Sequence, residues 1–405
     1  MTNSICGPPV KYVVSSPHRD IILDEAADKT ALICTRSDAA GVSSETDEKD
    51  LPGLTYGIYL RLIKKFIARD SYRLLIEAVS TRADRTIRLK DIDEIVIRSE
   101  KHGSVYHVAR IDVVVEGNAI RFAANVAFSA EGKRCMDREL GVLRHLRSRY
   151  PFSFLPHLYF AGKEEYRTEK SAGETALISL GKWFAGYHEF HLSEDETGPG
   201  QNLIVWDYDN GFKSLSDKQG REIYRQAAKI LSLYYDIDTF GQIYPWHHAS
   251  GDFIVRADPC DGATDIKLIT VRGYAPLIDF STHNQSNRLA ALLHFFSGLS
   301  IRMRLDRFDG TGEIAWADDR YVDGIMEGFF DALKIKENAG EYGQSKAGEF
   351  IEILRSLNAD DWTDVLIESL DIYNENDPHL PVILHHLSDH AKMLRSAVQK
   401  LAAIT

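Results

Sequence analysis

The residues of this chain best suited to chemistry lie in Tyr244-Pro-Trp-His-His-Ala-Ser-Gly-Asp252-Phe-Ile-Val255 and, after a turn-rich interval, in Ala275-Pro-Leu-Ile-Asp279-Phe280. Each run sets an acidic residue against a short apolar stretch, which is how a sheet edge presents a carboxylate to a divalent cation. A carboxylate is a hard oxygen ligand, and Mg²⁺ takes only one or two of them, completing its shell with water and phosphate oxygens. Asp252 and Asp279 are therefore the candidate metal ligands, and the pair points to a metal-nucleotide site. His247 and His248 stand beside Asp252. An imidazole titrates near neutrality, so His247 can serve as a base, as a metal ligand, or simply as a packed ring.

These residues need elements to hold them. Residues 1–55 mix Ser, Thr, Asp and Gly with short apolar pieces and read as a flexible leader. From Tyr56 to about residue 90, Tyr59, Leu60, Ile63, Phe66 and Ile67 recur at helical spacing and predict a helical extension. Three β-like runs follow, Ile92–Ile97, Tyr106–Val115 and Ile120–Phe128, separated by turn sequences. Met136, Leu140, Leu143 and Leu146 then form a helical stripe with Glu139 beside it, and further strands run to about residue 208. Asp217–Tyr235 reads as a helix with Ser216 as its N-cap, and the chain beyond residue 288 is helix-rich. The expected class is α+β, with a β-rich part over 91–208 and a helical part over 209–405. A small-molecule site is expected in a cleft between two such parts.

Composition narrows the partners. With 48 basic and 60 acidic residues the formal charge is -12, which opposes nucleic acid and anionic membrane. No apolar run approaches membrane-spanning length. Cys6, Cys34, Cys135 and Cys260 lack the spacing of a zinc site or disulfide framework and read as reduced thiols of a cytoplasmic protein. His385, His386, Asp389 and His390 offer a weak zinc pattern on a helix, and a solvated face is the simpler reading. The acidic groups Ser193–Glu196 and Asp360–Asp364 read as a solvated loop and a helix start, and Arg302, Arg304 and Asp306 as internal ion pairs. Oligomeric state, including a homo-oligomer, stays open.

Gly251-Asp252-Phe253-Ile254-Val255 resembles the end of the H-x-D-x-x-x-x-N catalytic loop of the protein-kinase-like superfamily, in its aminoglycoside and choline phosphotransferase branch. Leu277-Ile-Asp-Phe280 resembles that branch's I-D-F segment, and the resemblance extends over about residues 90–335. It implies a two-lobed kinase-like fold, Mg²⁺ and ATP as cofactors, and a small-molecule or protein acceptor. Carried over residue by residue, Asp279 would hold the nucleotide-bound metal and Asp252 would stand where an asparagine usually binds it. Glu139 would be the helix glutamate, and Asp207 joins the cofactor-binding candidates. The pattern departs from the family at three places. His247 occupies the catalytic aspartate position, Asn125 stands near the position of the phosphate-holding lysine, and a single glycine, Gly103, serves the turn over phosphate. Lys101, Arg121 or Arg98 would then supply charge to a phosphate. Three readings remain: a small-molecule phosphotransferase of low or unusual activity, a pseudokinase that binds nucleotide or acts as a scaffold, and a helical interaction protein unrelated to nucleotide.

Overall fold

The computed structural model of the protein describes residues 7–15, 21–32, 53–102, 105–169, 171–194, 200–207, 211–247, 251–258, 262–279, 285–310, 312–342 and 346–401. They form two compact units, one of residues 7–144 and 156–185 and the other of 145–155 and 186–401. The α+β class expected from the pattern is present, with a large, mostly antiparallel sheet in the first unit and helices dominating the second.

The first unit runs β1 (Val10–Val14), β2 (Ile21–Ile22), α1 (Glu25–Lys29), α2 (Tyr56–Ile67), α3 (Arg69–Ala83), β3 (Ile92–His102), β4 (His107–Val115) and β5 (Asn118–Ala127). It continues through α4 (Ala130–Arg149), whose last turn belongs to the second unit, to β6 (Leu158–Arg167) and β7 (Ala172–Lys182). The seven strands pair in the order β2-β1-β3-β4-β5-β7-β6. Strict alternation along β4 turns Ala109, Ile111, Val113 and Val115 to one face, where Tyr59, Ile63 and Phe66 of α2 and Leu75 and Val79 of α3 complete the core. On the other face Met136 and Leu140 of α4 pack with Ala127 and Leu177. Thr55 caps α2 by accepting from the Ile58 amide at 3.2 Å.

Two boundaries differ from the sequence reading. Val10–Val14, inside the span read as a flexible leader, pair in parallel with Ile95–Ser99 and extend the sheet. The composition of the span is turn-like on average, and that average hides one five-residue strand. The first unit ends at Ala185, not near residue 208, because the next three strands close a small sheet of their own in the second unit.

That unit contains β8 (Phe190–Glu194), β9 (Gln201–Asp207), β10 (Gly211–Ser214), α5 (Asp217–Leu233), β11 (Gln242–Ile243), β12 (Phe253–Ala257), β13 (Thr264–Leu268) and β14 (Tyr274–Ala275). After these come α6 (Gln285–Arg304), β15 (Leu305–Arg307), β16 (Ile314–Trp316), α7 (Val322–Asn338), α8 (Lys346–Ser356), α9 (Ala359–Glu368) and α10 (Leu380–Lys400). Ser216 caps α5 and shares a reciprocal capping box with Gln219, as its position before the apolar stripe predicts. Among the described residues no helix is long and apolar enough to cross a membrane.

Helices α5 and α7 approach closely enough for backbone to touch backbone. Gly324 and Gly328 lie four apart and so share a face of α7. A Cβ on Gly324 would stand 2.6 Å from the Arg221 carbonyl oxygen, and one on Gly328 would overlap the Arg225 carbonyl. Neither obstacle is a flexible side chain. Gly328→Ala is expected to lower stability by about 2 kcal/mol or more through overpacking, despite alanine's better helix propensity, and a denaturant midpoint measures it.

Candidate functional site

The acid loop of the second unit is built around a buried charge. Asp252 is fully buried. It precedes β12, and its backbone carbonyl accepts from the Ile269 amide at 2.7 Å, which ties it to the end of the partner strand β13. Three residues further on, Arg272 brings its guanidinium to Asp252 Oδ2, which also accepts from the His247 amide at 2.8 Å. Oδ1 is buried without a hydrogen-bond partner among the described residues. Burial pushes the Asp252 carboxyl above its ordinary value, with Glu189 adding to the push, while Arg272 and the His247 amide oppose it. Gly251 stands in the left-handed region at φ +64, and a Cβ there would lie 2.6 Å from Glu189 Oε1. Glycine is thus required both by the turn and by the neighbouring carboxylate.

The other expected site residues are placed differently. Asp279 is exposed, beyond β14, and the side chain that meets Asp252 is Arg272. Among the described residues no group of three or more His, Cys, Asp or Glu side chains is disposed to hold a metal ion. The His247 ring lies 5.3 Å from that of His379, tilted by 45°, and His379 Nδ1 is 2.9 Å from Asp377 Oδ1. His247 therefore sits as a packed ring whose amide, not its imidazole, serves Asp252. Asp207 ends β9 buried, 2.8 Å from Lys213 Nζ and 3.9 Å from His188 Nε2, as the charge inside a hairpin. His248 and Phe280 lie outside the described residues.

The first unit holds the remaining candidates. Period-2 alternation puts Asn125 on the face of Ala127, against which α4 packs, in register with Val108 and Ser179. Glu139 of α4 is buried. Arg121 faces Asp112 at 3.6 Å; Arg110 reaches Asp112 and Glu100 at 3.1 Å each; Arg98 is 3.9 Å from Glu100. The arginines that were expected to meet phosphate form a charge ladder with their own acids. Lys101 pairs through its backbone with Val108, and its side chain lies outside the described residues. In α10, His390 is buried on Ser300 Oγ at 3.0 Å, His386 stacks on Trp316, and Asp389 pairs with Lys392. That corrects the solvated-face reading in part, since His390 is core and His386 is half-buried, while His385 and Asp389 are exposed.

A second cluster escaped the sequence reading. His191 is buried in β8, with Nε2 3.8 Å from Glu189 Oε2 and Nδ1 3.8 Å from Asp306 Oδ1. Asp306 Oδ2 accepts from the Leu192 amide at 3.0 Å, and Trp206 covers the ring at 4.5 Å. Gly310, at φ +72, closes on the imidazole so tightly that a Cβ would stand 3.0 Å from Cε1. Burial disfavours the charged imidazole, but the Asp306 and Glu189 carboxylates close on either side of the ring override it and raise the His191 pKa to about 9. The available signal was the alternation of His and Glu with aromatic and apolar residues from His188 to Leu192; for Arg272 it was a lone cation between Val271 and Gly273.

No protein-family description and no curated protein matches the chain. Among solved structures it is similar to choline kinase from Cryptosporidium parvum Iowa II, with 10% identity over 80% of this chain and 96% of that one and a TM-score of 0.29. It is also similar to a kinase domain, with 12% identity over 75% of this chain and 85% of that one and a TM-score of 0.22. Superpositions this loose give no residue-by-residue correspondence.

Two outcomes are expected from this geometry. Arg272→Ala leaves Asp252 buried and uncompensated and is expected to cost about 3 kcal/mol at neutral pH. Because an unpaired buried carboxyl binds its proton more tightly in the folded state than in the unfolded one, this loss shrinks as pH is lowered towards the raised value, above 3.8. Parallel urea titrations of wild type and variant across pH measure it. His191 contributes stability that is fully present below pH 6.5 and declines as pH rises towards about 9, and its imidazole ¹³C shift in the folded protein titrates around pH 9.

Proposed function

We propose that this chain is a kinase-like module whose acid loop is held together by an internal guanidinium where a divalent ion would otherwise stand. On this reading it is a pseudokinase that acts by binding or scaffolding. The observation that carries the reading is the contact of Arg272 with fully buried Asp252. The element order supports it: a three-stranded meander, a helix with a buried glutamate, a hairpin, and then a helical part with an acid loop.

The described residues do not fit the Mg²⁺-nucleotide site that the resemblance implies. A metal at Asp252 Oδ2 would have to displace both the guanidinium and the His247 amide. Asp279 lies exposed, Asn125 stands where an ammonium would be needed, and Arg121 already faces Asp112. One observation favours the alternative, a phosphotransferase acting on a small molecule with ATP: buried Asp252 Oδ1 has no hydrogen-bond partner among the described residues.

Melting curves with ATP, with and without Mg²⁺, separate the two. The pseudokinase reading predicts that EDTA leaves any nucleotide-induced rise unchanged, that Asp279→Ala has no effect on it, and that no phosphate is released above buffer. A Mg²⁺-dependent rise of several degrees that Asp279→Ala removes would sink that reading and restore the phosphotransferase.

A further inference from the structure

The seven-stranded sheet of the first unit ends differently on its two sides. One outermost strand is β2, only two residues long; the other is β6, ten residues long, with no strand beyond it among the described residues. A very short outer strand gives another chain little to pair with, and a long one gives it much. The first half of β6, Leu158-Tyr-Phe-Ala-Gly162, is uncharged, half-buried and carries two aromatic residues, which suits it to strand pairing.

The second half, Lys163-Glu-Glu-Tyr-Arg167, is covered in a way the first is not. Residues two apart on a strand present their backbone groups to the same side. The carbonyls of Lys163 and Glu165 are both taken by side chains from the end of α2 and the start of α3. Lys65 Nζ donates to the Glu165 carbonyl at 2.8 Å, and Arg69 Nη2 donates to the Lys163 carbonyl.

One acid aims both cations. The Glu164 side chain, 4% exposed, lies between the two covered carbonyls in sequence; its Oε1 accepts from Arg69 Nε, and its Oε2 is 3.1 Å from Lys65 Nζ. A buried carboxylate demands such compensation, so each cation is held by the acid as well as by the carbonyl it reaches. Arg69 arrives by lying across Gly162, where a Cβ would stand 2.8 Å from Nη1, and its guanidinium sits 5.5 Å from the Phe66 ring centroid. The missing side chain opens the path and the aromatic ring lines it.

We propose that Lys65, Arg69 and Glu164 form a seal on β6 that keeps a second copy of this chain from adding its own β6 to the sheet. An antiparallel copy related by a two-fold axis would present the same strand to itself, and such pairing uses main-chain groups on this side, including the carbonyls the seal occupies. These residues all belong to the first unit, so the seal holds whichever way the nucleotide question is decided.

The full chain carrying Lys65→Met, Arg69→Met and Glu164→Gln loses both donors and the acid together, so no buried charge is left unpaired. Sedimentation velocity over a range of concentrations compares it with wild type. The expected result is a new species of twice the wild-type mass, with self-association about tenfold or more tighter than that of wild type. Ala161→Pro, which removes an N–H from the same side of β6, should return the triple variant to wild-type behaviour. Arg82→Met with Lys90→Met removes two exposed cations outside the seal and should leave sedimentation unchanged. If circular dichroism shows that the triple variant does not fold, Lys65→Met alone, which leaves Arg69 on Glu164, is read in its place and should tighten self-association severalfold. The proposal is overturned if the folded variant sediments as wild type does, if the control pair associates equally, or if Ala161→Pro leaves the association intact.

Discussion

A carboxylate removed wholly from water is tolerated only where the fold supplies its counter-charge, and Asp252 imposes that demand on the centre of the second unit. Meeting it fixes several things at once. The segment after β13 must return so that Arg272 reaches Asp252, the loop before Asp252 must present the His247 amide, and Gly251 must turn through a left-handed conformation beside Glu189. Neighbouring backbone is committed as well, since the Ile269 amide bonds to Asp252 and the amide and carbonyl of His188 bond to Val255. The loop, the hairpin β12–β13 and the approach to β8 are therefore one solution to one electrostatic problem.

Glu189 links that solution to a second one. Its carboxylate lies against Gly251 on one side and within 3.8 Å of the His191 imidazole on the other. His191 in turn faces Asp306, which is anchored by the amides of Leu192 and Arg307. Acids outnumber bases along this path, so a protonated histidine and an arginine share the work of neutralisation. Burial of His191 and of the Asp252 carboxylate strengthens these contacts and raises the cost of losing them, while the Arg272 guanidinium stays partly in water.

The periodic parts of this fold were legible in the sequence. Alternation announced β3 to β5, the stripe of Met136, Leu140, Leu143 and Leu146 announced α4, and Ser216 announced the start of α5, because these signals are local and each is set by one element's own geometry. The prominence of the acid loop was legible for the same reason. What could not be read was the partner of Asp252. Asp279 carried the more eye-catching motif, yet Arg272 makes the contact, because the return of the chain after β13 depends on pairing between strands and no spacing rule encodes it. The strand at Val10–Val14 was hidden likewise. Its partner lies some eighty-five positions further on, and five residues are too few to outweigh the turn-like composition around them.

That strand has a practical side. An exposed strand edge is a row of unpaired donors and acceptors that can template pairing with another chain. Strand β3 is eleven residues long, and Val10–Val14 cover part of its outer edge, with the two-residue β2 beyond them. Trimming the chain at Pro52–Gly53, where composition invites a boundary, would remove that cover and bare Ile95 to Ser99 to any passing strand. Val10–Val14 thus guard that stretch of the sheet's edge.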